Sequence, residues 1–298
     1  MIERAVLDRI MVVIDGLDPS YAGLAYALDL AEAAHGELTV LIHTHNLAPA
    51  GLVFTPQEMV VDFGSGWIEL IEQATDMTAR QVINLAKSRG LGANVRRDMG
   101  SVRGCIQKEA KDNSLVVVDR RGRGMWRPGS PASSAVKAAQ RMFSPVLIAP
   151  QGYCRLERVS VAYDGANLAQ HALRLGGALS GALHVPLEVL TVSRVAEEGE
   201  RVLGKAHDLL GDGVSGVSFV PKIGEPGDVI VAQSWPNTLL VMGSSAHSLL
   251  RRIVFGSVTD KALRHGNGPV LIAGEPAASA GSGSDPTTSA PGPERSAA

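Results

Sequence analysis

Short runs of Val, Ile and Leu recur along the chain. Between them lie longer stretches in which apolar residues return every three or four positions. The runs are too short for helices and are bounded by Asp, Gly and Ser, so they predict strands. The longer stretches predict amphipathic helices. Strands are expected near 9–15, 37–43, 93–98, 114–119 and 145–149, with helices near 18–35, 66–90, 101–112 and 132–142. A second set of strands is expected near 157–164, 186–193, 216–222, 238–243 and 269–273, with helices between them. Alternating strands and helices imply a parallel sheet covered by helices.

The pattern is written twice. "RIMVVIDGLDPSYAGLAYALDLAEAAHGELTVLIH" from Arg9 parallels "RVSVAYDGANLAQHALRLGGALSGALHVPLEVLTV" from Arg158. "SLVVVDRRG" parallels "TLLVMGSSA", and "SPVLIAP" parallels "GPVLIAG". The offset is 149 residues between Asp15 and Asp164 but 124 between Pro145 and Pro269, so the first copy carries 25 more. These lie within "NLAPAGLVFTPQEMVVDFGSGWIELIEQ", where "FGSGW" and its apolar neighbours suggest a flap over a cavity or a contact with another subunit. Self-similarity at this period means a duplicated domain. The expected units are 1–150 and 156–274, followed by a tail at 275–298 that is too poor in bulky apolar residues to fold.

Composition sharpens this picture. Of 298 residues, 45% are apolar but only 4% aromatic, so branched aliphatics and Ala must fill the core, as suits parallel sheets. The formal net charge of -2 does not suggest a general nucleic-acid or membrane surface. The start of the chain lacks a signal-peptide pattern. No uncharged apolar stretch approaches the ~18 residues of a membrane span. The expectation is a cytoplasmic protein without nucleic-acid or membrane partners. Two cysteines, Cys105 and Cys154, imply no disulfide framework. Cys105 reads as a buried structural thiol. His43 and His45 share one face of a strand end, but no third ligand accompanies them, so no metal site is expected.

In a doubly wound sheet, ligands bind beyond the C-terminal ends of the strands, where strand order reverses. In the second copy, Asp164-Gly165 and Gly243-Ser244-Ser245 fall there. A carboxylate can accept hydrogen bonds from a ribose hydroxyl, and glycine lets backbone N–H groups approach an anion. Gly256-Ser257 then opens a helix, whose free N–H groups suit a phosphate. Each signal alone is also that of an ordinary turn or N-cap.

With these residues the chain resembles a tandem universal stress protein. That family is marked by a first strand ending in Asp, a loop of form G-x2-G-x9-G-[ST] and a closing "PVL" strand. The resemblance covers about 8–150 and 157–274. It implies five-stranded parallel α/β domains of strand order 3-2-1-4-5, with closing strands that pair between domains. Here "PVLIA" occurs in both copies, so that pairing can occur within one chain. Members with the full glycine motif resemble ATP binders. The second copy reads Gly243-x2-Ala246-x9-Gly256-Ser257, with one glycine replaced. The first reads Asp119-x2-Gly122-x9-Ala132-Ser133, with two replaced. Asp119 would set a carboxylate among phosphates, which Arg120, Arg121, Arg123 and Arg127 could offset, unless these arginines only form a solvated basic loop.

The second copy is therefore the expected nucleotide site, for ATP with or without Mg2+. The resemblance implies that main-chain groups of Val192 read the adenine edge. Gly243, Ser244, Ala246, His247, Gly256, Ser257 and Val258 would surround the phosphates, with Arg251 as a further contact. The expected function is stress-response regulation through this nucleotide. The alternative is an interaction or scaffold protein without nucleotide, which could form a homodimer or bind another protein. An enzyme of the same sheet lacks support. There is no HIGH-type histidine pair, no SGGxDS loop and no Walker lysine, which leaves slow ATP hydrolysis at most.

Overall fold

A computed structural model of the chain describes residues 7–15, 21–44, 63–98, 101–110, 114–120, 144–211, 216–243 and 256–274. The predicted helix at 132–142, the tail, and Ser244, Ala246, His247 and Arg251 lie outside the described residues. So do Arg121, Arg123 and Arg127.

The first half contains β1 (Arg9–Asp15), α1 (Tyr21–Ala34), β2 (Glu37–His43), α2 (Phe63–Ser88), β3 (Ala93–Asp98), α3 (Val102–Glu109), β4 (Leu115–Asp119) and β5 (Val146–Ala149). The second contains β6 (Arg158–Ala162), α4 (Asn167–Leu183), β7 (Leu187–Ser193), α5 (Ala196–Leu210), β8 (Val217–Ile223), α6 (Pro226–Ala232), β9 (Thr238–Gly243), α7 (Ser257–His265) and β10 (Val270–Ala273). Residues 63–67, read from the sequence as a flap over a cavity or a contact with another subunit, form the start of α2.

Among the described residues, ten strands join one sheet in the order β3-β2-β1-β4-β5-β10-β9-β6-β7-β8. Each half has the order 3-2-1-4-5, and its strands pair in parallel. The halves meet where β5 and β10 run antiparallel, with Leu147 opposite Leu271. The two "VLIA" segments are fully buried, so each presents the other with a matching apolar surface and a free strand edge.

Side chains on each strand alternate between two apolar layers. Val12, Ile14, Leu147, Val159, Val161 and Leu271 face the layer with α1, α2, α4 and α5. Met11, Val13, Ile148, Leu240, Met242 and Ile272 face the layer with α3, α6 and α7. Each layer draws residues from both halves. Burying one such aliphatic side chain is worth about 1.5–3 kcal/mol, so the joint between the halves is core. Cys105 belongs to the second layer and is 3% exposed. His43 is buried as well, beside Asp98 in the β2–β3 register.

The connection between halves is strapped to α1. The Tyr153 hydroxyl donates to Asp29 Oδ2 at 2.5 Å, and the Cys154 N–H donates to the Tyr26 hydroxyl at 3.2 Å.

Candidate functional site

The cavity begins with a turn. β6 was expected to run to Asp164 but ends at Ala162. One further hydrogen bond continues the ladder, from the Tyr163 N–H to the Leu190 carbonyl at 2.9 Å. The chain then turns away because Asp164 Oδ1 accepts the Ala166 N–H at 3.0 Å and Gly165 has φ +83°. Asp-Gly thus supplies an Asx-type turn, with glycine in the left-handed region that other residues avoid. The Asp164 side chain is exposed at the mouth of the cavity behind this turn.

That cavity has a volume of about 440 Å³. It lies beyond the C-terminal ends of β6, β7 and β9, where the order of connections reverses around β6. Asp164, Val192, Gly243, Gly256, Ser257 and Val258 all line it. Six predicted residues from four separate stretches of sequence are therefore brought together.

Its walls were not anticipated. Leu190, Met242, Pro226 and Ile230 supply an apolar lining, the last two from α6. The "GEPGD" stretch held the signal for α6, a proline at the start of a helix, but no spacing tied that helix to the glycine motif. Among the described lining residues, Asp164 is the one charged side chain.

The two motif glycines have different roles. A Cβ on Gly243 would stand 2.8 Å from the Leu168 carbonyl carbon and 2.9 Å from the Ala169 nitrogen. At Gly243 β9 ends against the backbone of α4, which leaves no room for a side chain. Gly256 is the N-cap of α7 with φ -58°, which any residue can adopt, and no side chain caps the helix there. Gly256 offers no side chain to the first N–H groups of α7, and Gly256 to Thr259 line the cavity. Ser257 is exposed beside them, and Thr259 is buried.

Tyr163 borders the cavity but packs into the layer under α4 and α5. Its hydroxyl is buried without a hydrogen-bond partner among the described residues. Burial, and then the Asp164 charge, hold its phenol above the ordinary value.

The first half diverges at the equivalent strand end. Asp119, expected to point among phosphates, turns its carboxylate to α1, where Oδ1 accepts the Gly23 N–H at 3.0 Å. Arg120, weighed as part of a solvated basic loop, is part-buried. Its guanidinium donates to the carbonyls of Gly266 at 2.5 Å and Gly268 at 2.7 Å, in the other half.

The family model for universal stress proteins matches residues 7–150 and 195–274. The chain belongs to the universal stress protein family. Universal stress protein Slr1230 of Synechocystis is 24% identical over 284 residues, spanning 89% of this chain and 99% of that protein. Among solved structures, a universal stress protein from Archaeoglobus fulgidus superposes with a TM-score of 0.67 at 18% identity, covering 89% of this chain and 98% of that one. A functionally unknown protein from Pseudomonas aeruginosa gives 0.53 at 12% identity, covering 90% and 94%. At these identities the structures show a shared fold: this universal stress protein is a tandem α/β protein. No helix among the described residues is long and apolar enough to cross a membrane.

Proposed function

We propose that this stress-response protein binds an adenine nucleotide in the second-domain cavity and acts as a regulator through that occupancy. The observation that carries the reading is the convergence of Asp164, Val192, Gly256, Ser257 and Val258 on one cavity of about 440 Å³. That size falls in the range of sites for small molecules and cofactors. The apolar wall of Leu190, Met242 and Ile230 suits a base. One Asp164 oxygen serves the turn, which leaves the other for a ribose hydroxyl. The open start of α7 suits a phosphate through its N–H groups and its positive dipole end.

Charge sets a condition on this reading. With Asp164 as the one charge among the described lining residues, a triphosphate needs countercharge from elsewhere. The 244–255 segment carries His247, Arg251 and Arg252, and bound Mg2+ would supply further positive charge. In this reading 1–150 and 156–274 are the two domains, and only the second holds nucleotide. The cytoplasm is the compartment in which ATP would be met.

The test is a calorimetric titration with ATP and Mg2+ beside Gly256→Glu, which puts bulk and negative charge at the helix start. One site per chain, lost in the variant, is the expected result. No heat in the wild-type protein, together with an unshifted melting profile, would overturn the nucleotide reading and leave an interaction protein of the same fold.

A further inference from the structure

The two ends of α7 answer to different domains. At its start, Gly256, Ser257, Val258 and Thr259 line the second-domain cavity. At its end, Gly266 closes the helix by donating its N–H to the Ala262 carbonyl at 2.8 Å. The carbonyls of Gly266 and Gly268 are both held by the Arg120 guanidinium of the first domain. Arg120 is itself fixed, because its backbone N–H donates to the Ala149 carbonyl at 2.8 Å, at the end of β5.

The segment that Arg120 grips has no slack. A Cβ on Gly266 would stand 2.5 Å from the Ala262 carbonyl oxygen and 2.7 Å from Ser234 Oγ. One on Gly268 would stand 2.2 Å from the Trp235 carbonyl oxygen. Buried Ser234 accepts the Gly268 N–H at 3.2 Å from the second domain's own side. Gly266 to Gly268 is thus clamped between Ser234 and Arg120.

α7 has nine residues and is about 13 Å long. A tilt set at its clamped end appears at its other end, in the cavity wall. Lys261 also meets α6, whose Pro226 and Ile230 line the cavity, through an exposed 2.6 Å contact with Asp228. A guanidinium is a rigid fork that can hold two carbonyls at once, and a cation at a helix C-terminus complements the dipole.

We propose that Arg120 is a positioning residue for the second-domain cavity. The first domain, whose β4 ends in Asp119 where β9 of the second ends in Gly243, uses the adjoining Arg120 to set the placement of α7 in its neighbour. The ligand-affinity part of this inference rests on the nucleotide reading above, and the placement of α7 does not.

The experiment compares the full chain with Arg120→Met, Arg120→Lys and Tyr153→Phe. The last loosens the interdomain strap without touching α7. Amide hydrogen exchange of 257–266 is measured without ligand, and ATP with Mg2+ is titrated by calorimetry. Arg120→Met is expected to speed exchange in α7 about tenfold while β6, β7 and β9 stay protected. It should also weaken ATP by about fivefold to tenfold. Arg120→Lys keeps the charge but not the fork and should fall between, and Tyr153→Phe should match wild type in both. Wild-type exchange in α7 of Arg120→Met overturns the proposal. So does equal acceleration across the whole molecule, which marks a structural role only. If Arg120→Met does not fold, Arg120→Lys decides by the same readouts. Selective loosening of α7 in a protein that never binds ATP supports the positioning role and sinks the nucleotide reading alone.

Discussion

The carboxylate of Asp119 accepts the backbone N–H of Gly23 at 3.0 Å, tying the end of β4 to the start of α1. A Cβ on Gly23 would stand 3.0 Å from that same oxygen, a tight contact that the carboxylate would have to ease. The residue that replaced the first motif glycine of domain one has become a helix-capping group. Asp119→Ala should destabilise the protein by about 1–2 kcal/mol, the usual size of a lost cap or charged hydrogen bond. Asp119→Asn should cost less, since it keeps an acceptor. Denaturant midpoints of the three proteins measure this, and equal midpoints would remove the capping role.

At the matching position of domain two the constraint is steric. Gly243→Ala would press a methyl group against backbone atoms of Leu168 and Ala169, which cannot retreat as a flexible side chain could. The expected cost is about 1–3 kcal/mol, typical of overpacking. A melting temperature lowered by several degrees is the readout. An unchanged value would mean that α4 shifts freely.

Burial, then the hydrogen bond to Asp29, push the Tyr153 phenol up to about 12 from an ordinary 10.0. Its folded pKa exceeds its unfolded one. The contribution to stability is therefore complete below about pH 10 and is lost as pH rises toward 12. Stability measured from pH 8 to 11.5 should fall more steeply in wild type than in Tyr153→Phe. Parallel curves would show that the phenol titrates alike in both states. Tyr153 is 44% exposed, so solvent screening keeps the effect modest.

Tyr163→Phe should be neutral or stabilising by up to about 1 kcal/mol, because it removes a buried hydroxyl that has no partner among the described residues. A loss of stability in the ligand-free protein would reveal a hydrogen bond that the structure lacks. A loss confined to ATP titrations would place the hydroxyl at the ligand.

Ser234→Ala should cost about 1–3 kcal/mol, the penalty for stranding the buried Gly268 N–H. It should also loosen the same end of α7 that Arg120 holds. Because the two residues share one clamped segment, Ser234→Ala and Arg120→Met should be non-additive in a double-mutant cycle.

Much of this was legible in the sequence because it follows from local periodicity. Strands alternate apolar layers, helices repeat every three to four residues, and the chain carries both patterns twice. The start of α7 at Gly256-Ser257 was legible for the same reason, whereas Asp164, read as the last residue of a strand, belongs to the turn after β6. The candidate site was only partly legible. Asp164, Gly243 and Gly256 stood out by type and spacing, whereas Met242, Ile230 and Pro226 look like ordinary core or helix-start residues. They become cavity walls only because the β9–β6–β7 order brings α6 over the strand ends.

The sequence by itself determined the elements, the duplication and the identity of the closing strands, all set by short-range spacing and by the drive to bury matching apolar faces. Only the tertiary structure decided what the residues at the ends of β4 and β9 do. Gly243 answers to the backbone of α4, Asp119 to the N–H of Gly23, and Arg120 to carbonyls 146 and 148 residues away. Glycine, aspartate and arginine carry no record of their partners in one dimension. A missing side chain, an acceptor and a forked donor acquire meaning only from the backbone atoms that packing brings within about 3 Å of them.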